Sequence, residues 1–195
     1  MKKAVFLDRD GTIIRDRNYL RSAEQIEFLS GAPDALKALK SAGFLLIVCT
    51  NQSAIARGVL SEQEYRAIDR RFRQMMLARG VSLDASYYCP HLPRGSVSKF
   101  ALKCECRKPA KGMFAAAQKR FGIDFKASYA VGDSARDLQP AKALGATTIL
   151  VLTGKGRRAL SASRSRLFAD YICTDLRTAC QKILALTHDS ASSSR

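Results

Sequence analysis

Short apolar runs alternate with amphipathic segments along most of this chain, and each kind of segment predicts one kind of secondary structure. The run FLLIVCT at residues 44–50 is continuously apolar, which is typical of a strand buried on both faces. Strands that alternate with helices predict a parallel sheet covered by helices on both faces. The predicted strands occupy residues 3–7, 44–50, 85–89, 128–133 and 147–152, with a sixth, at an edge, at residues 169–173.

Two of the predicted helices begin at recognisable capping residues. Ser61 and Glu64 form a capping box, in which the serine accepts from the first free amides and the glutamate reaches back to the backbone. The helix that they open is predicted to run to about Gly80. Asp175 caps the last helix of the chain. Two further helices are predicted at residues 31–43 and 111–122.

The composition fits one globular domain. The chain has 195 residues, 47% of them apolar, which is enough for a sizeable core. We find no apolar run long enough to span a membrane and no signal peptide, so we expect a cytoplasmic protein whose thiols stay reduced. We predict a monomer with a single domain over residues 1–187, followed by a disordered tail at residues 188–195.

The net charge of +16 favours anionic partners, such as phosphorylated metabolites, nucleic acid or acidic membranes. Part of the excess is local, because GKGRRALSASRSR at residues 154–166 holds five cations and no acids. A solvated basic loop is the simpler interpretation of this segment, and no RNA-binding signature accompanies it. We therefore expect a small phosphorylated substrate and neither a specific nucleic acid nor a membrane as partner.

Acidic side chains follow two of the predicted strands. Asp8 and Asp10 come directly after the first strand. Asp133 is the last residue of the fourth predicted strand, and Asp137 follows it. Because the carboxyl ends of parallel strands meet at one edge of a sheet, these carboxylates should converge there. Acids that merely solvate loop ends are the alternative, but crowded carboxylates need a cation, and all-oxygen ligands favour Mg²⁺.

A second cluster consists of Cys89-x-His91 and Cys104-x-Cys106. Three thiolates and an imidazole suit a tetrahedral, structural Zn²⁺, although one-residue spacing within each pair is tighter than usual. Buried or disulfide-linked cysteines are the alternative, and His91 favours the metal because only two histidines occur in the chain. The other three cysteines lie on strand or helix patterns and are predicted core residues: Cys49, Cys173 and Cys180.

At these residues the chain resembles the haloacid dehalogenase (HAD) superfamily of phosphatases. DRDGT at residues 8–12 looks like its first motif, Thr50 its second, Lys108 its third and GDSARD at residues 132–137 its fourth. The resemblance implies an α/β fold, namely a HAD-like Rossmannoid three-layer sandwich with a mostly parallel sheet. It also implies a minimal cap that carries the zinc-binding loop.

The same resemblance implies a role for each motif residue. Asp8 would be the nucleophile that forms an aspartyl-phosphate, and Asp10 the general acid and then the base. Thr50 and Lys108 would hold the phosphoryl oxygens, and Asp137 would orient the lysine or a metal-bound water. Mg²⁺ would be bound by Asp8, the backbone carbonyl of Asp10 and Asp133.

Within this superfamily, residues 4–155 resemble the histidinol-phosphatase-like subfamily. This narrower resemblance rests on four segments, DRDGT, TNQSAIARG, YYCPH and CECRKP. It implies release of the C7 phosphate from a heptose 1,7-bisphosphate, in nucleotide-heptose synthesis for lipopolysaccharide. Ser134 stands where some members have lysine. The implied substrate contacts are Asp16, Arg17, Asn18, Tyr19, Thr50, Asn51, Gln52, Ser53, Arg107, Lys108 and Ser134.

Two other functions remain as alternatives. Histidinol phosphate is the first alternative substrate, since the histidinol phosphatases share a similar zinc loop. A nucleic-acid 3′-end phosphatase or binding protein is a more distant alternative, suggested by the positive charge alone.

Overall fold

A computed structural model describes residues 1–161 and 168–192, with side chains through residue 187. Six parallel strands form one sheet in the order β3-β2-β1-β4-β5-β6. The strands are β1 Ala4–Leu7, β2 Leu45–Asn51, β3 Ala85–Cys89, β4 Tyr129–Gly132, β5 Thr147–Val151 and β6 Tyr171–Cys173. The predicted strands are confirmed to within two residues at each end, and β6 lies at the edge as expected.

Seven α-helices connect and cover the described part of this sheet. They are α1 Ala32–Ser41, α2 Ser53–Ala56, α3 Glu62–Leu77, α4 Gly112–Phe121, α5 Ala135–Lys142, α6 Gly156–Ser161 and α7 Leu176–Ser192. Three of them were not anticipated from the sequence, because α2 and α6 are very short and α5 contains Pro140. No helix among the described residues combines the length and apolar composition needed to cross a membrane.

The sheet is buried on both faces because successive side chains of a strand point in opposite directions. Val5 and Leu7 of β1 belong to the core under α1, α3 and α7, whereas Ala4 and Phe6 belong to the core under α4. This arrangement confirms the predicted three-layer sandwich. Cys49 and Cys180 are buried in these two cores, as predicted, and Cys173 packs partly buried against the first.

The predicted helix caps are present. The Glu64 amide donates to Ser61 Oγ at 3.1 Å, and the Ser61 amide donates to the Glu64 carboxylate at 2.6 Å. The Thr178 amide donates to Asp175 Oδ1 at 2.8 Å. These bonds satisfy amides that a helix start leaves without an intrahelical partner.

The C-terminal segment differs from its prediction. Helix α7 continues to Ser192, so residues 188–192 of the predicted disordered tail have helical backbone. A helix that is already nucleated extends at low cost, which a composition-based prediction does not take into account. Residues 193–195 of that tail, and residues 162–167 of the basic segment, lie outside the described part of the chain.

Candidate active site

The strand order places a topological switch point between β1 and β4, since the chain leaves β1 toward β2 on one side and returns to β4 on the other. Open α/β sheets bind ligands at the carboxyl ends of the strands beside such a point. A cavity of about 480 Å³ lies there. Its walls are formed by Asp8, Asp10, Asp16, Asn18, Tyr19, Leu20, Thr50, Asn51, Gln52, Ser53, Ala54, Arg107, Lys108, Asp133, Ser134, Arg136, Asp137 and Lys155.

Lys108 is a buried cation at the floor of this cavity, with 3% of its surface exposed. Its Nζ lies 2.7 Å from Asp8 Oδ1 and 2.7 Å from Asp137 Oδ1, and it donates to the Cys49 carbonyl at 2.6 Å. Three acceptors therefore engage the three ammonium hydrogens, which fixes the direction of the side chain. Burial opposes the charge of Lys108, but the carboxylates of Asp137 and Asp8 outweigh it and raise its pKa.

The cavity floor carries more negative than positive charge. Asp8, Asp133 and Asp137 each place a carboxylate oxygen within 4.8 Å of the others. Burial, reinforced by neighbouring carboxylates, raises the pKa of Asp8 to about 7 and that of Asp133 to about 8. Lys108 alone does not neutralise the three acids, so a divalent cation here would relieve their repulsion and return the two pKa values toward their ordinary range.

Two glycines allow the backbone to approach the Asp133 carboxylate. Gly11 has φ +85° and Gly154 has φ +52°, and a Cβ at either position would collide with Asp133 Oδ2. The same oxygen accepts from the Lys155 amide at 2.8 Å. These two positions require glycine both for their left-handed backbone conformation and for space.

Asp10 is held apart from the other carboxylates, on the cavity wall. Arg9 contacts both of its oxygens at distances between 3.0 and 3.3 Å. Gln52 Nε2 donates to Asp10 Oδ2 at 2.8 Å and to Thr50 Oγ1 at 2.9 Å. The side chain of Asp10 is thus held at the cavity wall by Arg9 and Gln52, where it stays partly exposed, and it does not belong to the Asp8 group.

The loop after β1 supplies a second wall. Asp16, Asn18 and Tyr19 line the cavity, and the Asn18 amide donates to Asp16 Oδ1 at 2.8 Å, which holds the loop in a turn with φ +63° at Asn18. Arg17 is not among the lining residues, and its guanidinium pairs with Glu27 at 2.6 Å. The predicted substrate contact at Arg17 is therefore not brought to the site, since its guanidinium is directed to Glu27 and away from the cavity.

Asn51 fixes the backbone that presents the two neighbouring cations. Its Nδ2 donates to the Lys108 carbonyl at 3.0 Å, and its Oδ1 accepts from the Lys108 amide at 3.0 Å. Arg107 donates to the His91 carbonyl at 2.9 Å and lines the cavity. Ser134 also lines the cavity, where its hydroxyl donates to the Asp137 carboxylate.

The four predicted zinc ligands converge beside this wall. Cys106 Sγ lies 3.1 Å from Cys89 Sγ, 3.2 Å from Cys104 Sγ and 3.3 Å from His91 Nδ1. These sulfurs are too far apart for a disulfide bond, which is about 2.0 Å long, and all four ligand atoms lie within 4.8 Å of one another. A tetrahedral Zn²⁺ with thiolates at about 2.3 Å has edges of about 3.8 Å, so the cluster has dimensions close to those that the metal requires.

The sequence analysis missed two cationic residues of the cavity, Arg136 and Lys155. Lys155 Nζ lies 2.7 Å from Asp16 Oδ2, so it joins the loop after β5 to the loop after β1. The basic composition around Lys155 predicts a solvated segment, whereas its position just beyond the carboxyl end of β5 is the signal that indicates the site. Arg136 lies in the first turn of α5, a helix that the sequence did not predict.

Known proteins are similar to this chain in sequence and in fold. A family profile described as HAD-hydrolase-like matches residues 105–179. D-glycero-β-D-manno-heptose-1,7-bisphosphate 7-phosphatase of Yersinia pestis is 46% identical over 153 residues, which cover 78% of this chain and 81% of that protein.

Two solved structures are also similar. D,D-heptose 1,7-bisphosphate phosphatase from B. bronchiseptica, complexed with magnesium and phosphate, has a TM-score of 0.83 and 33% identity, covering 94% of this chain and 98% of that one. The D,D-heptose 1,7-bisphosphate phosphatase from Burkholderia thailandensis has a TM-score of 0.69 and 32% identity, covering 94% and 99%.

The sheet order, the acidic switch point and the buried lysine define a phosphatase of the HAD class. Within that class, the identity and coverage show that the chain belongs to the family of D-glycero-β-D-manno-heptose-1,7-bisphosphate 7-phosphatases.

Proposed function

We propose that this protein hydrolyses the C7 phosphate of D-glycero-D-manno-heptose 1,7-bisphosphate, in the supply of nucleotide-heptose for lipopolysaccharide. The observation that carries the proposal is the position of Asp8, whose carboxylate lies at the switch point beside the buried Lys108 ammonium. The family relationship supports the choice of substrate, since the relatives are named for this reaction.

We assign each step of the reaction to a residue of this chain. Asp8 attacks phosphorus and forms an aspartyl-phosphate, while Lys108 and Thr50 hold the phosphoryl oxygens as negative charge moves onto them. Asp10 gives a proton to the departing sugar oxygen and then takes one from the water that attacks the aspartyl-phosphate. Asp137 keeps Lys108 directed at the reacting group, through the contact of 2.7 Å.

The acidic cluster fits Mg²⁺, which we propose as the catalytic metal. Asp8, Asp133 and the backbone carbonyl of Asp10 would hold it, and all are oxygen ligands. When bound, it screens the repulsion between the nucleophilic carboxylate and the phosphate dianion. The relative from B. bronchiseptica was solved with magnesium and phosphate, which supports this choice.

We propose Zn²⁺ as a structural metal at Cys89, His91, Cys104 and Cys106. The group holds together the first part of the loop between β3 and α4, and its last member, Cys106, directly precedes Arg107. The hydrogen bond from Arg107 to the His91 carbonyl connects the zinc cluster to the cavity wall. The metal would therefore fix the position of a cation that faces the substrate.

The second phosphate of a bisphosphate needs positive charge away from Asp8. Arg107 and Arg136 both face the cavity, and neither has a carboxylate within 4.0 Å among the described residues. We propose Arg107 as the residue that binds this phosphate, through its planar fork.

A cytoplasmic monomer remains our expectation, and the free state of all six cysteines suits a reducing compartment.

A phosphate-release assay with a panel of substrates tests the proposal. We expect heptose 1,7-bisphosphate to be hydrolysed much faster than histidinol phosphate or a 3′-phosphorylated oligonucleotide, with both anomers of the heptose compared. Asp8→Asn should lower turnover by at least about 10³-fold without loss of the fold, since an amide does not attack phosphorus. Faster hydrolysis of histidinol phosphate would replace the proposed substrate by the first alternative, and activity of Asp8→Asn would remove Asp8 from the nucleophile role.

A further inference from the structure

Arg9 carries a buried charge, and the packing around it does not explain why a charged side chain occupies this position. Its side chain is 1% exposed, its guanidinium carbon lies 5.4 Å from the centre of the Tyr65 ring, and its Nη1 has no hydrogen-bond partner among the described residues. A buried guanidinium loses its hydration, and an apolar side chain of similar volume would serve the core at least as well. The reason for an arginine at position 9 must therefore lie in the carboxylate that it contacts.

That carboxylate is Asp10, the proposed acid and base. The Nε and Nη2 atoms of Arg9 both approach its two oxygens, and Gln52, which directly follows β2, donates to one of them. Asp10 itself is 25% exposed and faces the cavity. Arg9 does not line the cavity, so it cannot contact a substrate there except through Asp10.

We propose that Arg9 is a positioning residue, whose guanidinium fork holds the Asp10 carboxylate in the orientation from which it transfers protons. Two χ angles would otherwise let a partly exposed aspartate occupy several rotamers. Proton transfer needs heavy atoms within hydrogen-bond reach along a defined direction, so a fixed orientation raises the rate of the step. The inference rests on the proposed phosphatase function and deepens it, because it adds a residue to the same site.

The test compares leaving groups in single turnovers with enzyme in excess, which isolates the first phosphoryl transfer. p-Nitrophenolate leaves without a proton, whereas the C7 oxygen of the heptose requires one. Arg9→Met should slow the heptose reaction about 10- to 100-fold and the p-nitrophenyl reaction less than about threefold. Arg66→Met is the matched control, since Arg66 is exposed on α3 and pairs with Glu62, and it should leave both reactions unchanged.

A double-mutant cycle separates positioning from a purely structural role. If Arg9 acts through Asp10, Arg9→Met should slow the reaction of an Asp10→Asn protein by less than about twofold. Arg9→Lys, which keeps the charge but loses the fork, should lie between the wild type and Arg9→Met with the same dependence on leaving group. Circular dichroism and thermal unfolding establish that each variant is folded.

Each outcome decides the matter. Three results would overturn the inference and leave Arg9 with a structural role only. They are an equal slowing of the heptose and p-nitrophenyl reactions, additive rate losses in the double-mutant cycle, and unfolding of both Arg9 variants. A wild-type protein that cleaves p-nitrophenyl phosphate but no heptose bisphosphate would instead contradict the proposed substrate. In that case the comparison for Arg9 proceeds with glycerol phosphate, whose alkoxide leaving group also requires a proton.

Discussion

The Nζ atom of Lys108 lies 2.7 Å from Asp8 Oδ1, although 100 positions separate the two residues in the sequence. Asp8 directly follows strand β1, whereas Lys108 follows the cysteine- and histidine-containing loop beyond β3. The two meet because Asn51 of β2, the strand beside β1, holds both backbone groups of Lys108. The proposed nucleophile and the proposed phosphate-binding cation are thus brought together by a contact between β2 and this loop.

Loss of the Lys108 cation should act mainly on the chemical step. Its charge is needed most as negative charge develops on the phosphoryl oxygens, so Lys108→Ala should lower kcat by about 10²- to 10³-fold. Steady-state kinetics with saturating Mg²⁺ measure the effect. Lys111→Ala is the matched control, because Lys111 is an exposed lysine of the same segment. A loss of less than about tenfold for Lys108→Ala would argue against its contact with the transferred group.

The same lysine contributes to stability. Lys108→Ala leaves Asp8 and Asp137 buried without their cation, and breaking a buried pair costs about 3–5 kcal/mol. The free energy of unfolding in the absence of Mg²⁺ should fall by an amount of this order. The double variant Lys108→Ala/Asp8→Asn should recover part of the lost free energy of unfolding, because it also removes one of the two unpaired carboxylates. No recovery in the double variant would mean that the two side chains are not coupled.

Arg107 should distinguish a bisphosphate from a monophosphate. Arg107→Ala should raise KM for heptose 1,7-bisphosphate about tenfold or more and change KM for the 7-monophosphate less than about threefold, since a charge-assisted hydrogen bond is lost only with the former. Arg136→Ala, at the other cationic position of the cavity, serves as the comparison. An equal change of KM for both substrates in Arg107→Ala would show that Arg107 does not bind the second phosphate. A higher KM for the bisphosphate alone in Arg136→Ala would assign that phosphate to Arg136.

Purified protein should contain about one zinc per chain, separate from exchangeable Mg²⁺. Cys104→Ser should lose this zinc and, because Arg107 is tied to the His91 carbonyl, raise KM for the bisphosphate as well. Elemental analysis after purification under reducing conditions without chelator measures the metal. Cys173→Ser is the control, since Cys173 lies on β6, outside the cluster. Wild-type protein without zinc under these conditions would rule out the metal site.

The capping box at the start of α3 predicts a stability effect without a catalytic one. Ser61→Ala should lower the free energy of unfolding by about 1 kcal/mol, because the Glu64 amide loses its acceptor. Ser41→Ala, at an exposed serine in the last turn of α1, should change it by less than about 0.5 kcal/mol. Urea unfolding measures both, and kcat should remain at the wild-type value in each. Equal effects of the two substitutions would show that the cap contributes nothing specific.

The sequence by itself determined the six strands, the four longer helices and the places where the acidic residues fall beside them. Periodicity and capping are local properties, so β1 through β6, the box at Ser61 and the position of Asp8 after β1 could be predicted without knowledge of the fold. The cysteine and histidine cluster was also predictable, because its four members lie within 18 consecutive residues. The short helices escaped prediction since four to eight residues give too little periodicity.

Only the tertiary structure decided which side chains share the cavity. Lys155 enters it and Arg17 does not, although both lie in polar loops at the same edge of the sheet. The burial of Arg9 behind Asp10 likewise depends on α3, which covers this part of the sheet and brings Tyr65 against the guanidinium. Local patterns do not fix such contacts, because a side chain's direction in a loop is set by packing between segments that are distant in sequence.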